Sequence, residues 1–290
     1  MKSEIQSAII LSAGQGKRLF PITEFFPKAL LPIANTPAIA GVINRLREIS
    51  IENLYINTFH HAEQIKEFIE NEKGSGINIE EEDKLRNTGG GIANFKSSLS
   101  ESSFLLHNCD IYTEQDLSQL ISYHLKEKAL ATLMFVDYPR INSVLIENDE
   151  VLDFHSESGN LTYSGIAVFS PQIWKYFPDQ ENFSLITVLD SVLAAGNKIA
   201  AFKSEKYWSD FGTPQDYWAL HKHISERETS DVEKSAYVKG CTLKGFNYIG
   251  GHSKVRNSAL ENCIVLPGAM IKDENRRNSI FFERGYISLS

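Results

Sequence analysis

Ser7-Ala8-Ile9-Ile10-Leu11-Ser12-Ala13-Gly14-Gln15-Gly16-Lys17-Arg18-Leu19 is an apolar run that breaks into two glycines and then into charge. It reads as a buried strand ending in a loop whose backbone N–H groups can wrap phosphate oxygens, while Arg18 adds a fork of charged donors. It fits neither of two familiar phosphate motifs: GxGxxG needs a third glycine where Leu19 stands, and the Walker A loop needs Ser or Thr where Arg18 stands. Taken alone, Gly-x-Gly after a strand is the ordinary material of a tight turn. The residues beyond it set it in a fold: a helical pattern from Pro37 to Ile49 and a second buried strand over Leu54–Phe59 complete one βαβ unit.

The alternation continues downstream. A helix is expected over Ala62–Glu72, a strand over Ile77–Glu81, a helix opened by Gly89–Gly91, and a strand over Phe104–His107 that enters Asn108-Cys109-Asp110. Then come a helix over Glu114–Lys126, a strand over Ala131–Asp137, strand-like stretches at Val144–Ile146 and Tyr163–Phe169, and a last helix from Pro214 to about Glu226. Strands separated by helices imply an α/β fold: a doubly wound, mostly parallel, Rossmann-like sheet with ligands at the carboxyl ends of its strands.

Near Ser225 the composition changes. Past a polar stretch, apolar residues recur without helical spacing at Val238, Leu243, Ile249, Val255, Leu260, Val265 and Ile271, punctuated by Gly250-Gly251, Asn257-Ser258 and Gly268-Ala269. Intervals of five or six suit a hexapeptide-repeat β-helix of two or three coils, in which each apolar residue points inward. The expected division is a catalytic domain over 1–225, a linker over 226–232 and a small β-helical appendage over 233–290.

Composition removes several classes of function. At 290 residues, 42% of them hydrophobic, the chain can bury a substantial core, and its net charge of -8 argues against a phosphate-tracking nucleic-acid surface. There is no basic-then-apolar leader pattern and no run of about 18 apolar residues, so a cytoplasmic protein without a membrane span is expected. Cys109, Cys241 and Cys263 form no CxxC. His60-His61 and His221-x-His223 lack a Cys or carboxylate at ligand spacing, which favours packing over zinc.

The opening loop continues as Leu19-Phe20-Pro21-Ile22-Thr23, then Pro27-Lys28-Ala29-Leu30-Leu31-Pro32-Ile33-Ala34-Asn35-Thr36-Pro37. Here the sequence resembles the sugar nucleotidyltransferase family, whose signature joins a glycine-rich loop, an arginine, a Pro-Leu-Thr segment and a Pro-Lys followed by apolar residues and proline. Further pieces resemble the family in order: Asn87-Thr88-Gly89-Gly90-Gly91, Asn108-Cys109-Asp110, Tyr163-Ser164-Gly165-Ile166, and Trp208-Ser209-Asp210-Phe211-Gly212-Thr213-Pro214. Together they cover residues 5 to about 225. Within the family, the Thr-Gly-Gly-Gly element and Leu161-Thr162-Tyr163-Ser164-Gly165 look most like the N-acetylmuramate-1-phosphate uridylyltransferases, with mannose-1-phosphate guanylyltransferases as close relatives. The C-terminal coils look like the left-handed β-helix-like extensions of several members, which serve assembly or regulation.

The resemblance implies a transferase that joins an NMP from an NTP to a sugar 1-phosphate and releases pyrophosphate. Uridylyl transfer to an amino-sugar or related sugar 1-phosphate is the expectation. A mannose- or heptose-type guanylyltransferase and a catalytically silent nucleotide-sugar-binding subunit are the alternatives. Two polyanions must be brought together, so charge neutralisation is the central problem. Arg18 and Lys28 are the implied catalytic cations. Asp110 and Asp210 match the pair that holds the catalytic Mg2+ in the family. Leu11, Ala13, Gly14, Gln15, Gly16, Glu82, Thr88, Gly89 and Gly90 are assigned to the nucleotide, UTP or GTP, with Gly91 in the same loop. Asn108, Ser164, Gly165 and Trp208 are assigned to the sugar phosphate. Two departures stand out: Cys109 replaces the family's usual glycine before the metal aspartate, and Ser156-Glu157-Ser158 stands where many members have Glu-Lys-Pro. The charge of that missing lysine falls to Lys28, Lys203 or Lys206. The short tail, with exposed coil edges, implies a homo-oligomer.

Overall fold

The computed structural model describes residues 5–71, 76–225 and 231–289. The expected linker over 226–232 therefore lies mostly outside the described residues, as does Glu72. The chain clusters into two compact units. The first comprises residues up to Gly14 and Val42–Trp208; the second comprises Gln15–Gly41 and Ser209–Ser290.

The first unit is built on a nine-stranded sheet of β1 (Ser7–Leu11), β2 (Asn53–Thr58), β3 (Ile77–Glu81), β4 (Phe104–Asn108), β5 (Ala131–Val136), β6 (Leu145–Glu147), β7 (Glu150–Asp153), β8 (Thr162–Phe169) and β9 (Ile199–Lys203). Their spatial order is β3-β2-β1-β4-β8-β5-β9-β7-β6. β1 pairs in parallel with both β2 and β4, and β9 pairs in parallel with β5. β8 enters antiparallel between β4 and β5, and the β6–β7 hairpin closes one edge. The sheet is thus parallel-rich, with helices on the chain between its strands, among them α1 (Ala38–Glu48) and α4 (Lys96–Leu99). β1 and β5 are buried along almost their whole length because both faces are covered, which is why they read as continuous apolar runs.

Local chemistry sets the helix ends. α2 (Ala62–Asn71) buries Ala62, Ile65 and Ile69, one stripe at helical spacing. α5 (Leu117–Glu127) starts at Asp116, whose carboxylate accepts the Ser118 amide at 2.9 Å, and stops at Lys128 in the left-handed region. α6 (Leu185–Ala194) is capped by Ser184, whose Oγ accepts the Ile186 amide at 3.2 Å. The core on its side of the sheet includes Phe104, whose ring lies 5.2 Å from Trp174 and 5.4 Å from Phe169 between centroids. Of these elements, α6, β7 and β9 were not anticipated from the sequence.

In the second unit, α7 (Pro214–Ser225) packs on the C-terminal coil and on the signature loop. Tyr217 Oη and His221 Nε2 both donate to the Pro32 carbonyl, at 2.5 and 3.0 Å. Burial lowers the His221 pKa to about 4, which keeps it a neutral donor. Trp218 Nε1 donates to the Asn262 carbonyl at 2.8 Å, and its ring lies 5.2 Å from that of Phe246.

The described residues of the tail, 231–289, form parallel coils, with no helix among them. Val238, Val255 and Ile271 stand in register on one side, and Ile249, Val265 and Phe281 on another. One coil is therefore 17 residues (238 to 255) and the next 16 (255 to 271), shorter than three full hexapeptides. The corners explain the economy: Gly240, Asn257 and Asp273 have φ of 66°, 48° and 55°, and Gly245, Asn262 and Asn278 have 62°, 55° and 47°. Glycine, asparagine and aspartate are the residues that turn through this region at least cost. At the far end Ser279–Phe282 pairs antiparallel with Gly285–Ser288, a hairpin that covers the last parallel strand. No helix of the described residues is long and apolar enough to cross a membrane.

Candidate active site

At the carboxyl end of β1 the chain turns into the glycine loop. The Ser12 amide donates to Asn57 Oδ1 at 2.9 Å and Ser12 Oγ to the Asn57 carbonyl at 2.5 Å, tying the loop to the end of β2. Asn57 Nδ2 in turn donates to Glu82 Oε1 at 2.8 Å, while Glu82 Oε2 accepts the Arg86 amide at 3.2 Å. Glu82 is buried, and its carboxylate joins the loop to α3 (Asn87–Ala93). Leu11 is half-buried, and its carbonyl accepts the Cys109 amide at 2.9 Å. Ala13 is buried, whereas Gly14 is exposed, with nothing within 4 Å of where a Cβ would sit.

The triple glycine of α3 answers to packing. The amides of Gly89 and Gly90 both donate to the Phe183 carbonyl, at 2.9 and 3.2 Å. A Cβ on Gly89 would meet the Phe183 ring, one on Gly90 the Glu181 carbonyl, and one on Gly91 would lie 2.6 Å from Asn57 Nδ2. Thr88 is exposed, and its Oγ1 accepts the Leu185 amide at 2.9 Å.

β4 ends in Asn108, and Asp110 follows, half-buried. Cys109 is buried and, like Cys241 and Cys263, forms no disulfide. Gly165, at φ 83°, must be glycine twice over, for its conformation and because a Cβ would lie 2.8 Å from Asn108 Nδ2. Ser164 is buried, its Oγ accepts the Ile166 amide at 3.3 Å, and its carbonyl takes Trp208 Nε1 at 3.0 Å. Asn108, Ser164, Gly165 and Trp208 are thus linked by direct contacts, one to the next. Beneath them His107 Nδ1 donates to the Asn108 carbonyl at 2.9 Å, while its Nε2 is buried without a partner and desolvation lowers its pKa to about 4.

Arg18, Lys28 and Asp210 fall in the second unit. Gln15 is half-buried; Gly16, at φ 61°, turns the chain into Lys17–Leu19, and its carbonyl accepts Thr23 Oγ1 at 3.0 Å. Arg18 Nη2 lies 3.6 Å from Asp210 Oδ2. Lys28 Nζ donates to the Asp210 carbonyl at 3.5 Å and stands 5.3 Å over the Phe211 ring. The guanidinium of Arg18 occupies the space where a Cβ on Gly212 would be. Gly212 therefore owes its place in the Trp-Ser-Asp-Phe-Gly-Thr-Pro segment to Arg18, and it was missed as a site residue, as were Asn57 and Ser12. A polar Asn at the end of a buried strand and a glycine two residues past a carboxylate were the available signals.

Arg18 on the carboxylate of Asp210 and Lys28 on its backbone carbonyl bring two cations to one residue, just ahead of α7, and charged donors of this kind suit phosphate oxygens. The sequence profile of the nucleotidyl transferase family matches residues 7–227. The chain belongs to that family. Among similar members, the bifunctional protein GlmU of Methanococcus aeolicus is 28% identical over 251 residues, 81% of this chain and 59% of that protein. The match therefore spans less than two thirds of that relative's length. A mannose-1-phosphate guanylyltransferase of Mycobacterium tuberculosis is 26% identical over 292 residues, 91% of this chain and 81% of that one. The fold is also that of HddC from Yersinia pseudotuberculosis, solved with GMP-PN: TM-score 0.65, 23% identity, 76% of this chain and 100% of that chain covered.

Proposed function

We propose that the protein transfers a nucleoside monophosphate from UTP or GTP to a sugar 1-phosphate. An acceptor phosphate oxygen attacks the α-phosphorus, the bond to the β-phosphate breaks, and pyrophosphate leaves. The observation that carries this reading is the cluster of Arg18, Lys28, Asp210 and Gly212. Arg18 offers a planar fork to phosphate oxygens, and Lys28 a point charge held over Phe211. Both act on charge that grows in the transition state, where fixed cations do most. The residues around Gly14 and Thr88 would seat the nucleoside, and Asn108, Gly165 and Trp208 would position the sugar phosphate.

The resemblance to the family implies magnesium, and Asp110 and Asp210 are the carboxylates that would hold it: Mg2+ takes one or two carboxylates and completes its shell with water and substrate phosphate. When bound, the ion supplies neutralisation of phosphate charge. The protein is read as a cytoplasmic homo-oligomer, with the C-terminal coil supplying contacts. A panel of NTPs against sugar 1-phosphates, read by pyrophosphate release, tests the reading. Release that requires both substrates is expected, and none with any pair overturns it.

A further inference from the structure

A cavity of about 490 Å3 opens in the first unit beside β8 and α6. Phe154, Tyr163 and Ile186 give it apolar surface, and Thr187, His155 and Asp190 give it polar groups. Its position follows from register. Tyr163 stands opposite Phe135 near the carboxyl end of β5, and Ile166 opposite His107 near the carboxyl end of β4. Tyr163 in the cavity wall is followed directly by Ser164 and Gly165, whose neighbours are Trp208 and Asn108. Its α6 wall is held to the glycine helix by the Leu185 amide on Thr88 Oγ1 at 2.9 Å.

Its charge is one-sided. Among its lining residues there is no Lys or Arg, and Asp190 is the carboxylate. His155 Nε2 lies 3.1 Å from Asp190 Oδ2, and the His155 amide is fixed on Asp153 Oδ1 at 2.8 Å. A carboxylate accepts hydroxyl hydrogens at both oxygens and, set against apolar rings, makes a surface suited to a polyol ring. The same carboxylate repels a second one, which is how a site rejects a competitor by charge. We infer that Asp190, oriented by His155, is a specificity-determining residue: this cavity takes the acceptor's ring and selects neutral, hydroxyl-bearing sugar 1-phosphates over those that carry a carboxylate. The inference rests on the nucleotidyl-transfer reading for the role of the acceptor. It also separates this chain from the muramate-type relatives its sequence resembles, since muramate carries a lactyl carboxylate.

N-acetylglucosamine 1-phosphate and N-acetylmuramic acid 1-phosphate differ by that lactyl ether alone, so they form the test pair. Binding of each is measured by calorimetry at pH 8, and turnover by pyrophosphate release with UTP and with GTP. The wild type should bind the neutral sugar at least tenfold more tightly. Asp190→Asn should bring the ratio within about twofold with its melting temperature unchanged, and Asp190→Glu should restore the preference. Equal or tighter binding of the muramic compound by the wild type, a ratio that Asp190→Asn does not move, or binding of neither compound at millimolar concentration would overturn the inference. Discrimination in binding without turnover of any acceptor would leave Asp190 its role and remove the transfer reading instead.

Discussion

Replacing Gly212 by alanine tests the placement of Arg18 without touching a charge. An ideal Cβ at Gly212 would lie 2.8 Å from Arg18 Cζ, and closer still to Nη2. Non-bonded carbons settle at about 3.5–4.0 Å, so the guanidinium has to retreat by about 1 Å. Its separation from Asp210 is already 3.6 Å, and such a retreat ends the contact. A misplacement of about 1 Å at a reacting centre can cost about a hundredfold in rate, or about 2.7 kcal/mol of transition-state stabilisation. The fold should hardly notice, because the Arg18 side chain is 65% exposed and free to swing. Stability should stay within about 0.5 kcal/mol of the wild type. The assay is kcat/KM from pyrophosphate release for wild type, Gly212→Ala, Arg18→Ala and the double variant, with melting curves for each. If Gly212 acts through Arg18, the double variant is no slower than Arg18→Ala. Wild-type turnover in Gly212→Ala, or strictly additive losses, would refute the argument.

Four further outcomes are expected. Asp110→Ala or Asp210→Ala should remove most turnover while leaving a cooperative melt, and excess EDTA should do the same to the wild type; full activity in any of these contradicts the metal assignment. His107, His124 and His221 are buried with pKa values lowered to about 4 by desolvation. Their folded values lie below the unfolded value of about 6.5, so the unfolded chain takes up protons first and stability falls as pH drops from 6.5 towards 4, by up to about 3 kcal/mol for each. Denaturant melts at pH 7.5, 6 and 5 should show this, and a flat profile would contradict it. Trp218→Ala should cost about 3 kcal/mol, since it removes the indole bond to Asn262 and the contact with Phe246, and an unchanged melting temperature would contradict that packing. Deleting residues 231–290 should strip the partners of α7, lower the melting temperature and reduce the oligomer seen by light scattering; a deletion variant as stable and as associated as the full chain would remove the tail from both roles.

Much of the fold was legible because two rules of pattern operate cleanly. β1, β4 and β5 are covered on both faces, so they read as apolar runs, and α2 shows its buried stripe at helical spacing. α6 was overlooked although it shows the same stripe, with Leu185, Val188, Leu189 and Val192 buried and Thr187, Asp190 and Ser191 on the other side, and β9 escaped because Ile199–Lys203 is short and follows soon after it. The tail's inward residues could be picked from their spacing, but the coil length could not, since it depends on left-handed corners at residues such as Asn262 and Asn278. In the site, Arg18, Lys28 and Asp210 come together. Glu82 shows where local sequence falls short: its carboxylate is engaged by Asn57, from a strand more than twenty residues earlier, and that partner depends on the sheet rather than on any neighbour in the chain. The grouping of Gln15–Gly41 with Ser209–Ser290 arises the same way, from the bonds of Tyr217 and His221 to the Pro32 carbonyl.

The most direct measurement of the central claim tracks the oxygen atoms. A sugar 1-phosphate labelled with 18O at its phosphate is incubated with unlabelled NTP, magnesium and the enzyme, and the products are weighed by mass spectrometry. Attack by the acceptor on the α-phosphorus predicts a nucleotide sugar that carries the full label and pyrophosphate that carries none. Label in the pyrophosphate, or a protein that binds nucleotide and yields no nucleotide sugar, would contradict it.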